Sequence, residues 1–375
     1  MSVLREDAPG GQLPDPCPGP LSDRLVVLLR GTGAAPQADL AAAGWLDDTG
    51  RFAAGAGCLF GSDVGGTKVQ SVLTDLEGHV LAEMRSDTPV GGGDAVLDLI
   101  VAHMAQMTGQ VGATVRAAGI GLPGAVHPVT GHLDRAPNLS GLAGRDMRAL
   151  LQGRLGVPVA VENDVNFAAL GEAWLGHGAA AQAAGGTMMP ETTAGGLAFV
   201  ALGTGIGMGL VWGDRILRGA SGAAGEVAAL PIGADPADPA SKACGALESV
   251  VSGAALIADY RASGGRQAAE TLRQISKDAG ADPVLDAVMA RLAQLTARAI
   301  LAIDAIVNPG LFVLGGGVGS QPLLLDRIMV ELAKVLPDRM PVPDCRISRL
   351  GNRAGAIGAV RAARLAYANR LATSV

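Results

Sequence analysis

The sequence predicts an α/β fold of about two domains, and three observations predict it. Its 375 residues are enough to build more than one buried core. Apolar residues make up 49% of the chain and charged residues only 17%, a balance that excludes wholesale disorder. From residue 58 onward, strand-like runs alternate with helix-like segments, and this alternation is typical of α/β architecture.

The predicted elements follow from hydrophobic periodicity. Short apolar or alternating runs predict strands at residues 56–60, 69–75, 80–83, 117–121, 157–161, 197–202, 208–212 and 311–314. Amphipathic segments predict helices at residues 95–108, 147–155, 165–175, 254–261 and 283–307. The last helix ends at the breaker Asn308-Pro309-Gly310. Residues 176–194, rich in Ala and Gly, are predicted to be a loop.

Residues 1–57 differ from the rest of the chain and are predicted to be an N-terminal extension. The first 20 residues are rich in Pro, Gly and Asp, so we expect the extension to be partly disordered. Residues 21–30 predict a short apolar helix, and a second helix could begin near Pro36. We expect an N-terminal α/β domain at residues 58–185, completed by a C-terminal helix at residues 356–375. A C-terminal α/β domain is then expected at residues 186–355.

Charge, cysteine content and hydropathy exclude several classes of protein. The net charge of −6 argues against broad affinity for nucleic acid or anionic membranes. The four cysteines lie far apart without a CxxC pair, as in reduced cytosolic proteins, and the acidic, proline-rich start does not fit a signal peptide. The uncharged run at residues 192–213 is broken by Gly203-Thr204-Gly205, which favours two strands and a turn. We expect a cytoplasmic protein without a membrane segment.

Three glycine-bearing turns each follow a predicted strand: Gly65-Gly66-Thr67-Lys68, Gly203-Thr204-Gly205 and Gly315-Gly316-Gly317. The first turn, just after Asp63, could simply supply the positive φ that a tight hairpin needs. It could also bare backbone N–H groups for a phosphate, with Thr67 and Lys68 as further donors. Three such turns in one chain favour a nucleotide site.

A polar cluster, Glu162-Asn163-Asp164, follows the predicted strand at residues 157–161, where a helix is predicted to begin. Asn163 or Asp164 could cap that helix, the usual role of these residue types at such a place. A carboxylate at the carboxyl end of a strand could instead accept a proton from a substrate hydroxyl during phosphoryl transfer. The residues alone leave both roles open for Asp164.

Residues 58–363 resemble the ROK family (repressor, open reading frame, kinase) of sugar kinases and related regulators. The resemblance rests on the order and spacing of six short segments, at residues 63–68, 136–139, 162–166, 202–207, 218–226 and 314–317. It implies an actin-like ATPase fold of the ribonuclease H type, with two α/β domains around a cleft. It also implies a homodimer.

The resemblance further implies a site for ATP, Mg²⁺ and a hexose-type sugar. Asp63 would act near Mg²⁺ and the phosphates, and Asp164 would be the general base. The phosphoryl groups would be cradled by Gly65, Gly66, Thr67, Lys68, Thr204 and Gly205. The adenosine would lie along Gly315, Gly316 and Gly317. The sugar would be bound by Asn138, Asn163, Asp164, Glu226 and Glu248.

The chain departs from the family pattern next to Glu226. Ala229 stands where ROK kinases typically have a His, and Cys244 is the one cysteine kept from a cysteine-rich zinc-binding stretch. A lone cysteine cannot build a tetrahedral zinc site, so we predict no bound zinc. The same departure removes a sugar ligand of the family.

Two functions therefore stand side by side, a sugar kinase and a sugar-responsive regulator or ligand-binding relative without kinase activity. ROK regulators carry a winged helix-turn-helix ahead of the kinase-like core, and residues 25–50 look like a shortened piece of one. Residues 1–57 carry four Arg, no Lys and seven acidic residues. Because a groove-reading module should be basic, we expect DNA binding by this extension to be unlikely.

Overall fold

The computed structural model describes residues 15, 19–31, 37–134, 139, 141–178, 195–265 and 282–373. The chain divides into two compact units, named here unit 1 (Met1–Glu162 with Ala359–Val375) and unit 2 (Asn163–Gly358). The sequence instead placed a boundary between residues 185 and 186; the predicted domain limits stay a prediction. Within the described part of the chain, no helix is both long and apolar enough to cross a membrane.

Unit 1 is built on a five-stranded sheet. Its strands are β1 (Cys58–Val64), β2 (Lys68–Thr74), β3 (Val80–Asp87), β4 (Val115–Leu122), β5 (Ala125–Val126), β6 (Leu133–Asp134) and β7 (Val159–Asn163). Its helices are α1 (Pro20–Arg30), α2 (Ala38–Ala42), α3 (Gly93–Val111) and α4 (Met147–Leu155), with a 3₁₀ turn at Ala54–Ala56. The sheet order is β3-β2-β1-β4-β7; β5 and β6 form a separate pair. Apolar side chains of α3 and α4 pack on the sheet to form the core.

Unit 2 holds a second five-stranded sheet, of order β10-β9-β8-β11-β12. Its strands are β8 (Leu197–Leu202), β9 (Ile206–Trp212), β10 (Arg215–Ile216), β11 (Leu311–Gly315) and β12 (Cys345–Ile347). Its helices are α5 (Asp164–Trp174), α6 (Pro239–Cys244), α7 (Glu248–Val251), α8 (Gly253–Ala262), α9 (Pro283–Val307), α10 (Gly316–Gly319) and α11 (Pro322–Val335). Single 3₁₀ turns lie at Val227–Ala229 and Gly351–Arg353. The final helix, α12 (Ala354–Thr373), begins in unit 2 and ends in unit 1.

The two sheets repeat one arrangement. In unit 1, β1 pairs antiparallel with β2 and parallel with β4. In unit 2, β8 pairs antiparallel with β9 and parallel with β11. The hairpins β1–β2 and β8–β9 each turn at one of the glycine-bearing segments that the sequence singled out. This topology confirms the predicted α/β class.

Helix α1 of the N-terminal extension is packed within unit 1. Leu25 and Leu29 of α1 are fully buried. The last carbonyl groups of α1 accept hydrogen bonds from two arginines of α12: Arg364 donates to Leu28 at 2.9 Å, and Arg361 donates to Leu29 at 3.2 Å and to Arg30 at 2.9 Å. Cations are favourable at this end of a helix because the macrodipole is negative there.

Several features differ from the sequence-based expectations: the short elements β5, β6, β10, α6 and α7 were not predicted, and three larger differences follow. Gly315-Gly316-Gly317 was expected to be a loop, but Gly315 ends β11 and the next residues form the one-turn helix α10. Gly316 has a φ of +80° and lies against the Leu202 main chain, where a Cβ would overlap it. Helix α11 and strand β12 were not predicted.

Candidate functional site

The first glycine turn lies in unit 1 between β1 and β2, as predicted. Asp63 is the second-last residue of β1 and is half-buried, whereas Gly66 and Thr67 are exposed. The Gly65 N–H donates to the Lys68 carbonyl at 2.8 Å, which closes the turn. The turn therefore presents main chain to solvent directly after a carboxylate.

Thr88 braces this turn from outside the motif. Its backbone N–H donates to the Thr67 carbonyl at 3.0 Å. Its hydroxyl donates to the Gly65 carbonyl at 2.8 Å. Thr88 was not predicted from the sequence. Aligning the register of β3 with β2 would have placed Thr88 beside the turn, because it directly follows the last residue of β3. Two carbonyls of the turn thus point at Thr88, which fixes the orientation of the peptide groups around them.

The Lys68 ammonium pairs with the Asp87 carboxylate, its partner across the β2–β3 ladder. Both side chains are exposed, at 46% and 81% of their surfaces, so solvent screens the pair and its contribution to stability is small. A stronger anion at the turn could therefore compete with Asp87 for Lys68.

In unit 2, the start of α5 separates the two roles that the sequence left open for Asn163 and Asp164. The Asn163 side chain is the N-cap, because its Oδ1 accepts from the N–H groups of Val165 at 3.0 Å and Asn166 at 3.1 Å. Asp164 is the first helical residue, and its Oδ1 accepts from the Val165 N–H at 2.9 Å. The cap is thus provided by the neighbour of Asp164.

Two glycines of β9 let the start of α5 come close to the sheet. A Cβ at Gly207 would press on the Val165 side chain. A Cβ at Gly209 would overlap the Val165 carbonyl oxygen and the Asn166 Cα. Because any side chain at Gly209 would push α5 away, the glycine is part of what positions Asp164. This role of Gly209 was not predicted from the sequence.

The charge of Glu226 acts on two other carboxylates of unit 2, Asp164 and Glu248. Burial raises the pKa of Asp164 from 3.8 to about 6, against hydrogen bonds that lower it, and the charge of Glu226 adds to the rise. Burial also raises the pKa of Glu248, and Glu226 again contributes. Glu226 itself is exposed. Asp164 is therefore an unusually basic carboxylate.

Glu248 lies directly behind the second glycine turn. Its Oε2 accepts from the Ile206 N–H at 2.9 Å, and a Cβ at Gly205 would collide with the same carboxylate. Gly203 is held by two further bonds, from its N–H to the Gly205 carbonyl and from the Gly253 N–H to its own carbonyl, both 3.0 Å. Thr204 stays exposed at the tip.

The second and third glycine turns are neighbours within unit 2. A Cβ at Gly203 would lie 3.6 Å from the Gly317 nitrogen, and a Cβ at Gly315 would run into the Phe199 ring. Unit 2 thus brings together the predicted residues Thr204, Gly205, Gly315, Gly316 and Gly317. It also holds the predicted sugar ligands Asn163, Asp164, Glu226 and Glu248, whereas Asn138 lies outside the described residues.

The segment that departs from the family pattern is packed by apolar and backbone contacts. The Leu247 N–H donates to the Ala228 carbonyl at 3.0 Å, and Val227, Ala246 and Leu247 are buried. Cys244 is exposed. Among the described residues, the one group of three potential metal ligands is Asp75, Glu77 and His79, far along the chain from Cys244. That no zinc binds here stays a prediction.

The chain is similar to known sugar kinases in sequence and in structure. The model of the ROK family matches residues 59–365. A glucokinase from Streptomyces coelicolor is 29% identical over 327 residues, which cover 82% of this chain and 98% of the glucokinase. The structure of a ROK family glucokinase from Streptomyces griseus in complex with glucose and AMPPNP matches with a TM-score of 0.68 and 27% identity, over 82% of this chain and 99% of that chain.

A ROK family transcriptional regulator, a homologue of the E. coli MLC protein, matches with a TM-score of 0.74. The match covers 94% of this chain and 97% of that chain at 20% identity. At this identity the likeness shows the fold alone.

Proposed function

The chain belongs to the ROK family, and we propose that within it the chain is an ATP-dependent kinase of a hexose-type sugar. The fold is the actin-like ATPase fold that the family's sugar kinases share. The observation that carries the proposal is the environment of Asp164: a carboxylate at the start of α5, held by the Asn163 cap and made more basic by burial and by Glu226.

As the general base, Asp164 would accept the proton of one sugar hydroxyl. The sugar oxygen would then form a bond to the γ-phosphorus of ATP while the bond from that phosphorus to the ADP oxygen breaks. The products are a sugar phosphate, ADP and the proton on Asp164. A pKa of about 6 leaves Asp164 ionised at neutral pH yet basic enough to receive that proton.

For ATP we propose the roles that the family resemblance assigns to the glycine-bearing turns of each unit. In unit 1, Gly65, Gly66, Thr67 and Lys68 would bind phosphoryl oxygens through bared N–H groups and an ammonium. In unit 2, Thr204 and Gly205 would do the same, and Gly315, Gly316 and Gly317 would lie along the adenosine. Packing requires glycine at both Gly315 and Gly316, because a Cβ would meet the Phe199 ring or the Leu202 main chain. When bound, Mg²⁺ would neutralise phosphate charge. The Asp63 carboxylate would supply oxygen near the ion, which would itself contact the phosphates.

The sugar would be bound by Asn138, Asn163, Asp164, Glu226 and Glu248. Asn163 uses its Oδ1 to cap α5, and its side chain also hydrogen-bonds the Asp164 carboxylate, so Asn163 would orient the base beside the sugar. Because Ala229 is exposed and small beside Glu226, the sugar would lose one polar contact that a His would supply. We also propose that the protein is a homodimer, as the resemblance implies.

A sugar-responsive regulator is the second candidate, and the absence of a His at Ala229 favours it. The extension of this chain argues against a DNA-binding role. Its longest described helix, α1, is buried on one face and bonded to α12. Residues 1–57 carry four Arg and seven acidic side chains, a net charge of −3. DNA readers need exposed basic surface.

An assay of ADP release separates the two candidates. The full chain would be incubated with ATP and Mg²⁺ and with a panel of hexoses and N-acetylhexosamines, alongside Asp164→Asn and the exposed control Asp214→Asn. Sugar-dependent ADP release that Asp164→Asn loses and Asp214→Asn keeps supports the kinase. No release with any sugar, together with sugar-dependent thermal stabilisation, would reject the kinase in favour of a sensor.

A further inference from the structure

A cluster of cationic and phenolic groups in unit 1 surrounds a single carboxylate of the extension. Asp15 accepts at Oδ1 from the Tyr367 hydroxyl at 2.7 Å and from the Arg116 Nη1 at 3.1 Å. Its Oδ2 accepts from the Arg370 guanidinium. Three donors from β4 and α12 thus converge on one carboxylate from far along the chain.

The donor side of this cluster is part of the folded core. Tyr367 is fully buried and Arg116 is 6% exposed. Arg116 is fixed by contacts other than Asp15: its Nε donates to the Ala56 carbonyl at 2.8 Å, and its guanidinium lies 5.2 Å from the centre of the Trp45 ring. Gly57, with a φ of +99°, makes room for the Arg116 side chain, because a Cβ there would overlap it.

Arg370 is held in a similar way, with its guanidinium 5.5 Å from the centre of the Tyr367 ring. Burial raises the pKa of Tyr367 to about 12, so its hydroxyl is a hydrogen-bond donor at any physiological pH. Two guanidinium groups and one hydroxyl thus donate to the Asp15 carboxylate. Arginines in this arrangement suit the two oxygens of a carboxylate or a phosphate.

We propose that Arg116, Tyr367 and Arg370 form an anion-binding site of unit 1. The Asp15 carboxylate, from the same chain, occupies this site. The site would take a free carboxylate or phosphate once the Asp15 carboxylate is removed. In the intact chain the Asp15 carboxylate already accepts the hydrogen bonds of this site, so an added anion would find the donors occupied. The inference is independent of the kinase proposal, since none of these residues is assigned to ATP or sugar.

The test uses the full chain and three variants: Asp15→Asn, the exposed control Asp48→Asn from the same extension, and the double variant Asp15→Asn/Arg370→Gln. Thermal melts would be recorded in chloride, acetate and inorganic phosphate at equal ionic strength. In chloride, Asp15→Asn should melt a few degrees below both the unaltered chain and Asp48→Asn.

Acetate or phosphate should restore the melting temperature of Asp15→Asn, with little effect on the unaltered chain and on the double variant. Restoration by acetate alone would define a carboxylate site, and restoration by phosphate alone a phosphate site. The proposal fails if Asp15→Asn melts like the unaltered chain. It also fails if no anion restores the variant, or if the anions stabilise all four proteins equally.

Discussion

Glu248 accepts a hydrogen bond from the Ile206 N–H at 2.9 Å, and so joins the first residue of α7 to the residue that follows the Gly203–Gly205 turn. In the proposed kinase, one carboxylate would act both as a sugar ligand and as a support for a phosphate-binding turn. The two roles can be separated by substitution.

Glu248→Gln keeps an oxygen that can accept from Ile206 and removes the charge. We expect the KM for sugar to rise about tenfold or more, because a hydrogen bond to a charged group contributes about 1.5–3 kcal/mol, while the KM for ATP stays the same. Glu248→Ala also releases the turn, so the KM for ATP should rise as well. Steady-state kinetics with each substrate varied in turn would check this. Equal effects of both variants on ATP would contradict the supporting role.

Asp164→Asn should lower kcat by about 10²–10⁴-fold, the usual contribution of a general base. The same variant should be more stable than the unaltered chain at pH 7.5. The folded-state pKa of Asp164 lies above its ordinary 3.8, so ionisation in the fold is unfavourable and the penalty develops as pH rises towards about 6. The upper bound of the gain is about 3 kcal/mol, since one pKa unit is about 1.4 kcal/mol. Denaturant unfolding at pH 7.5 and pH 4 would measure it; a gain that is the same at both pH values would contradict the assignment.

The pH dependence of kcat/KM should show an acidic limb at about pH 6, where Asp164 takes up its proton. Below that pH the rate should fall tenfold per unit, because only the ionised base is active. Glu226→Gln removes a negative charge that raises the Asp164 pKa, so it should move the limb to lower pH. A limb that stays in place in Glu226→Gln would show that another group titrates.

Thr88→Val keeps the backbone bond to Thr67 and removes the hydroxyl bond to Gly65. The KM for ATP should rise about 3- to 10-fold, in line with about 0.5–1.5 kcal/mol for one hydrogen bond, with a smaller change in the KM for sugar. Thr88→Ser restores the hydroxyl and should return the KM for ATP to its original value. Failure of the serine variant to do so would point to packing of the Thr methyl group instead.

Gly209→Ala should destabilise the fold by about 1–3 kcal/mol, because its Cβ would collide with the main chain of α5. Gly153, in α4, has open space around the same position and no positive φ, so Gly153→Ala should instead stabilise by about 0.4–1 kcal/mol. Chemical denaturation of both variants would test the contrast. Similar effects of the two substitutions would mean that α5 can shift away from residue 209 with no loss in the free energy of unfolding.

Much of the fold follows from local pattern, because the strongest signals are periodic. The bounds predicted for α4, α9 and β8 agree with the structure to the residue. Helix α11 was missed although Leu324, Ile328 and Leu332 are spaced four residues apart and buried, a pattern that a window search would detect. Strand β12 has only three residues and no fully buried one, so its pairing with β11 is decided by tertiary contacts.

The site was less accessible to sequence reasoning. Asn163 and Asp164 have the same capping chemistry, and only backbone geometry shows that Asn163 adopts the extended cap conformation. The bond between Glu248 and Ile206 spans 42 residues, and Thr88 lies 23 residues from Gly65. Contacts between segments so far apart depend on the folded topology, which no local pattern encodes.

The attachment of α1 to α12 has a consequence for biosynthesis. Unit 1 takes its first helix from the start of the chain and its last from the end, while unit 2 is continuous between them. A ribosome adds about 5–20 residues per second, so roughly 10–40 seconds separate the emergence of the two parts of unit 1. During that time the carbonyls at the end of α1 lack their hydrogen-bond donors, Arg361 and Arg364. All of unit 2 is therefore synthesised before the segment that completes unit 1.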